Sequence, residues 1–182
     1  ANGEIIKKTL ENFGISVEMG DVSVGPTVTQ YTLRPEGGIK LSKIAALNND
    51  LALSLAAHPI RVEAPIPGKS WVGIEIPNHK VAMVMTRSML ESSQFKHSKF
   101  PLSIALGRDV SNNPIVTGLD KMLHLLISGS TGSGKSVCIN SVLISLLYTN
   151  SPDNLKLLLV DPKRVEFPVY NDLPHLLPPV IL

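Results

Sequence analysis

The sequence predicts an α/β chain in two parts, a small α+β domain followed by the opening of a P-loop domain with a truncated sheet. Three observations predict it. Short β-leaning segments alternate with helical stripes through the first half of the chain. A glycine-rich run from Gly129 to Ser136 stands between an apolar burst of strand length and a helical stripe. A continuous apolar segment, residues 155–160, follows that helix in the manner of a central parallel strand.

In order along the chain, Ile6, Leu10 and Phe13 are spaced for one helix face, and Gly14 is the expected stop. Residues 15–24 and 27–33 read as strands joined at Gly25-Pro26, and Pro35-Glu36-Gly37-Gly38 is turn chemistry. Residues 41–57 read as helical, with Ile44, Leu47, Leu51 and Leu55 on one stripe. Asn48-Asn49 is placed to split that helix by capping a second one. Residues 60–64 and 71–76 read as paired strands, with a short helix near 88–92, which gives the order αββαββ. The polar stretch 92–101 carries Lys96, His97 and Lys99 and reads as a linker, so the expected domains are 1–98 and 99–182. In the second, residues 102–106, 114–117 and 123–128 read as strands. Residues 136–148, with Val142, Leu143, Leu146 and Leu147 at helical spacing, read as a helix.

Composition narrows the classes. Hydrophobic residues at 43% and charged residues at 18% support a packed core and exclude long disorder. A net charge of +2 does not by itself mark a nucleic-acid binder. The single cysteine, Cys138, excludes an internal disulfide framework and fits a reducing cytoplasm. No apolar run approaches the roughly 18 residues of a bilayer span, and no signal peptide opens the chain. The start at Ala1 without Met leads us to expect a segment of a longer protein.

The chemistry is concentrated in Gly129-Ser130-Thr131-Gly132-Ser133-Gly134-Lys135-Ser136, which fits the pattern G-x-x-x-x-G-K-[ST]. Successive backbone N–H groups must turn inward around a phosphate, and a Cβ would obstruct that path. The helix that follows, through Val137, adds the partial positive charge of its N-terminus. Lys135 is expected to reach the β- and γ-phosphates of ATP, and the Ser136 hydroxyl to ligate Mg²⁺. Asp161 ends the strand at 155–160. Two roles are open to it: holding Mg²⁺, or capping the neighbouring strand behind the ligating groups. Lys163 and Arg164 have phosphate, a neighbouring subunit or solvent as possible partners. Glu166 has no second carboxylate at useful spacing and is assigned no catalytic role. Cys138 is expected as a small buried side chain and His124 as a structural residue of its strand. His58, His79, His97 and His175 show no metal-ligand spacing.

Met122 to Val137 strongly resembles the FtsK/SpoIIIE family of bacterial DNA translocases. So do Leu159-Val160-Asp161-Pro162-Lys163-Arg164-Val165-Glu166 with Tyr170 and Leu173-Pro174-His175-Leu176-Leu177. Upstream, Asp50-Leu51-Ala52-Leu53, Arg61 to Ser70 and Gly73-Ile74-Glu75-Ile76-Pro77-Asn78 agree as well. The resemblance runs over nearly the whole chain. It implies a ring-forming α domain over 1–98 and the first part of a RecA-like P-loop NTPase domain over 99–182. It further implies a homo-hexamer that pumps double-stranded DNA in chromosome partition during cell division or sporulation, anchored through N-terminal membrane helices at the cytoplasmic face of the bacterial inner membrane. The family's Walker B carboxylates are expected after Leu182, so ATP turnover by this segment alone is expected to be weak. Beside this reading stand a conjugation or secretion pump of the same superfamily, a P-loop small-molecule kinase, and a non-catalytic ring scaffold. The kinase would be expected to need a lid and an acceptor pocket that the sequence does not display.

Overall fold

The structure, a computed structural model, describes residues 2–182. It contains two compact units: residues 1–84 with 108–113, and residues 85–107 with 114–182.

The first unit is a four-stranded antiparallel sheet with helices packed on it. Helix α1 (Asn2–Asn12) is followed by β1 (Val17–Val24), β2 (Val28–Pro35), α2 (Leu41–Ala46), α3 (Asn48–Ser54), β3 (Arg61–Glu63) and β4 (Val72–Pro77). The sheet order is β1-β2-β4-β3, so β2 and β4 are central, with Tyr31 opposite Ile74 and Val62 opposite Ile74 on the other side. The expected αββαββ order is present, with its second helix in two pieces. Ile6 and Leu10 bury completely, but Phe13 is exposed, contrary to the expected helix face. The helix stops too early for it. Gly14 (φ +70°) donates to the Glu11 carbonyl and Ile15 to the Leu10 carbonyl, the paired bonds of a Schellman cap. Phe13 thus leaves the helical face, and Ile15 enters the core in its place. The split at 47/48 is also present, but Leu47 rather than Asn48 is the N-cap of α3, and no side chain caps it. Ile44 and Leu51 are fully buried while Leu47 and Leu55 pack partly against the same core.

The second unit contains α4 (Thr86–Leu90), α5 (Ser93–Lys96), β5 (Ser103–Arg108), β6 (Pro114–Gly118) and α6 (Lys135–Thr149). The two units part after Val84. Part of the expected linker is α5: the Ser92 hydroxyl caps it by accepting from the Phe95 amide at 3.3 Å, and Phe95 buries and approaches the Tyr148 ring. Strands β5 and β6 form a two-stranded sheet. Helix α6 buries two stripes. Val142 and Leu146 pack with Ile104 of β5, whereas Leu143 packs with Leu159 and Val180. Ser145, fully buried between them, donates to the Ser141 carbonyl (2.7 Å) and accepts from the Ala105 amide (3.2 Å).

Two expected strands differ from expectation. Residues 123–128 form no ladder among the described residues, and Leu123 and Leu126 are 97% and 88% exposed. Residues 155–160 make parallel bridges on one side, Leu157 with Leu176 and Val160 with Ile181, without becoming a regular strand. A βαβ unit needs its two strands paired with neighbours, and neither segment has a full set within these residues.

Ile74 is fully buried at the sheet centre, opposite both Tyr31 and Val62, so removing its side-chain volume leaves a cavity there. Ile74→Ala should lower the unfolding free energy by about 2–5 kcal/mol. Leu53→Ala, at an 83% exposed position, should change it by less than about 0.5 kcal/mol. Urea titration of the two variants checks both.

Candidate functional site

The glycine-rich run is a loop that leads directly into α6. Gly132 (φ +81°) and Gly134 (φ +92°) adopt left-handed backbone that a side chain would strain. A Cβ on Gly129 would meet the Ser133 hydroxyl, which would have to turn aside. Gly134 is the N-cap of α6, and no side chain occupies the cap. The first helical hydrogen bond from this turn is Cys138 N–H to the Gly134 carbonyl (2.9 Å). The amides of Lys135, Ser136 and Val137 therefore have no acceptor within the helix and carry its N-terminal positive charge.

The structure brings the sequence-selected residues together. Lys135 Nζ donates back across the loop to the Gly129 carbonyl (2.7 Å) and the Ser130 carbonyl (3.1 Å). Ser133 N–H donates to the Ser130 carbonyl (3.1 Å). Gly129, Ser130, Thr131, Gly132, Ser133 and Gly134 are exposed, Lys135 and Ser136 half-buried, and Val137 exposed. Cys138, expected to be buried, is half-buried on the first turn of α6. His124, expected as a structural residue of a strand, is exposed on a stretch that pairs with nothing described.

Sequence reasoning missed a contact made by Glu166. Its carboxylate accepts a hydrogen bond from the Ser136 hydroxyl at 2.6 Å. Asp161 accounts for how it arrives there. The Asp161 carboxylate is buried and accepts from the amides of Glu166 (2.9 Å), Phe167 (3.1 Å) and Lys163 (3.3 Å). Burial pushes its pKa up, but the donated N–H groups of Phe167, Glu166, Lys163 and Arg164 together outweigh this and hold it below the usual carboxylate value. This carboxylate is committed to backbone, and the amides it holds belong to the turn that follows it rather than to the neighbouring strand. The turn it folds places Arg164 in left-handed backbone (φ +59°), leaves Lys163 and Arg164 exposed, and brings Glu166 to the first turn of α6.

A second tie runs beside it. Tyr170 donates through its hydroxyl to Asn140, whose amide donates to the Ser136 carbonyl (2.8 Å). Burial pushes the Tyr170 pKa up, which keeps the phenol protonated as a donor. The sequence signals for Glu166 are its place at the end of the Leu159 to Glu166 stretch that resembles the family and its position six residues past the apolar segment 155–160.

These features define an α/β protein whose second unit is organised around a P-loop. Residues 86–182 match the model of the FtsK/SpoIIIE family, and residues 1–78 match that of the FtsK alpha domain. The chain belongs to the FtsK/SpoIIIE family. It is 52% identical over 176 residues to a DNA translocase FtsK of Caldanaerobacter subterraneus subsp. tengcongensis, covering 97% of this chain and 25% of that protein. It is also 52% identical over 180 residues to the DNA translocase FtsK of Halalkalibacterium halodurans, covering 99% and 23%. The chain thus spans about a quarter of the length of the curated relatives it matches. Among solved structures, the pCW3 conjugation coupling protein TcpA, a monomer form with ATPγS, covers 88% of this chain and 44% of its own at 20% identity and a TM-score of 0.36. Among the described residues, no helix is long and apolar enough to cross a membrane, and no group of three or more His, Cys, Asp or Glu side chains is placed to hold a metal ion.

The lowered Asp161 pKa has a definite pH consequence. A carboxyl whose folded pKa lies below its unfolded value contributes stability above the unfolded value of about 3.9, and that contribution is lost as pH falls through the folded pKa. The protection factors of the Glu166 and Phe167 amides should therefore hold at pH 5–7 and fall below about pH 4. Asp161→Asn should accelerate exchange at those two amides across the whole range.

Proposed function

We propose that this chain is the nucleotide-binding start of an ATP-driven motor that translocates double-stranded DNA, with Gly129 to Val137 as its ATP site. The observation that carries the reading is the loop geometry: two left-handed glycines, a first helical turn with free amides, and Lys135 lying across the loop mouth. The close relatives named as DNA translocases support the polymer substrate.

In this reading the amides of Gly132 to Ser136 cradle the β-phosphate, and Lys135 exchanges its two carbonyl partners for β- and γ-phosphate oxygens. A rigid anion cradle lowers the barrier because it is already aimed at the charge that develops on the transferring phosphoryl group. The Ser136 hydroxyl suits Mg²⁺, since it offers the hard oxygen that this cation prefers, with the Glu166 carboxylate accepting its proton. Mg²⁺ bound there would neutralise charge on the β- and γ-phosphate oxygens. The first unit, which matches the alpha-domain model, builds a homo-hexameric ring around DNA, and the second unit continues into a RecA-like ATPase domain whose later strands pair with residues 123–128 and 155–160. The intact protein works at the cytoplasmic face of the inner membrane, anchored by a region outside these residues.

In the intact protein, Lys135→Ala should reduce double-stranded-DNA-stimulated ATP turnover by about a hundredfold or more while the circular dichroism spectrum is retained. Turnover within threefold of the parent would reject the site. The 182-residue chain alone should bind ATP yet hydrolyse little of it, since the water-positioning carboxylate is assigned to a later strand. Robust DNA-stimulated hydrolysis by the chain alone, lost with Lys135→Ala, would relocate the catalytic residues into these 182 positions.

A further inference from the structure

The Ser136–Glu166 contact is more specific than the P-loop pattern requires. A serine hydroxyl has one proton and two lone pairs. If the oxygen is to face a cation, the proton must point away from it and needs an acceptor there. Glu166 is that acceptor, at 2.6 Å, from an element 30 residues further along the chain. The bond is short and charge-assisted, and such bonds orient a ligating group and increase its donor strength.

Glu166 is also held in place rather than left to wander. Its own backbone amide donates to Asp161 (2.9 Å), as does that of Phe167 (3.1 Å), and the Phe167 ring packs beside Tyr170. Tyr170 in turn bonds Asn140, one helical turn past Ser136. Two ties therefore run from the 161–170 segment to the first turns of α6, and one of them ends on the hydroxyl proposed to meet the metal.

We propose that Glu166 is a positioning residue that sets the magnesium affinity of the nucleotide site by accepting the Ser136 hydroxyl proton in a charge-assisted bond, which turns the oxygen toward the cation and raises its donor strength. The inference rests on the ATP site proposed above and deepens it. It assigns a role to a carboxylate that neither the loop pattern nor residue spacing selects.

The test uses the intact protein and a fluorescent N-methylanthraniloyl-ATP as probe, titrated first in EDTA and then with Mg²⁺ at fixed nucleotide. Glu166→Gln keeps an acceptor oxygen at the same place, so a merely mechanical tie to α6 would survive it. The expected result is probe affinity in EDTA within twofold of the parent, with the Mg²⁺ concentration for half-effect raised about tenfold. Ser136→Ala should also raise it, and adding Glu166→Gln to Ser136→Ala should change it by less than twofold, because the two act through one bond. A half-effect concentration within twofold of the parent in Glu166→Gln would overturn the inference. So would a full further loss on adding it to Ser136→Ala. Failure of the parent to bind the probe at all would instead remove the ATP site, and this inference with it.

Discussion

Helix α6 is the constraint on which the second unit depends. Its first turn carries the loop amides, and its body buries two apolar stripes at once, Val142 and Leu146 toward β5 and Leu143 toward Leu159 and Val180. A loop made of exposed residues with left-handed glycines has little to stabilise it by itself. Anchoring the helix on two sides fixes the direction in which its unpaired amides point, which in the proposed reading pre-forms the anion cradle. The buried Ser145 reinforces this by satisfying a β5 amide that would otherwise be orphaned against the helix.

The same helix explains why Asp161 matters. The chain leaves the 155–160 segment and must turn back toward α6. One buried carboxylate gathers three amides to make that turn, which brings Glu166 and Tyr170 to the helix side of the loop. A backbone-committed Asp at this position shapes the site indirectly, through the turn it folds. The groups that the turn delivers bond Ser136 and Asn140 on the first turns of the helix.

Much of this was legible in the sequence where periodicity or a motif carries geometric information. Ile6 with Leu10, and Ile44 with Leu51, sit at helical spacing and bury as expected. The P-loop pattern was legible because its glycines answer a backbone requirement that no other residue meets cheaply. Phe13 was misread because a helical period says nothing about where a Schellman cap ends the helix. Helix α5 was missed because four residues are too few to show a period, although Ser92 and Phe95 held its cap and its burial. Residues 123–128 have strand composition, but a ladder also needs a partner. Here the composition is visible and the pairing is not. The Glu166 contact was invisible for a related reason: sequence separation gives no angle, and the approach to Ser136 depends on the turn at Asp161.

The central claim is that the Gly129–Val137 loop on α6 is a pre-formed phosphate cradle. A crystal structure of the intact protein with saturating Mg²⁺ and ATPγS tests it most directly. The account predicts a β-phosphate against the amides of Gly132 to Ser136, with α6 in the same place and Lys135 Nζ moved from the Gly129 and Ser130 carbonyls to phosphate oxygen. An ordered nucleotide bound elsewhere, with this loop empty and α6 intact, would contradict it.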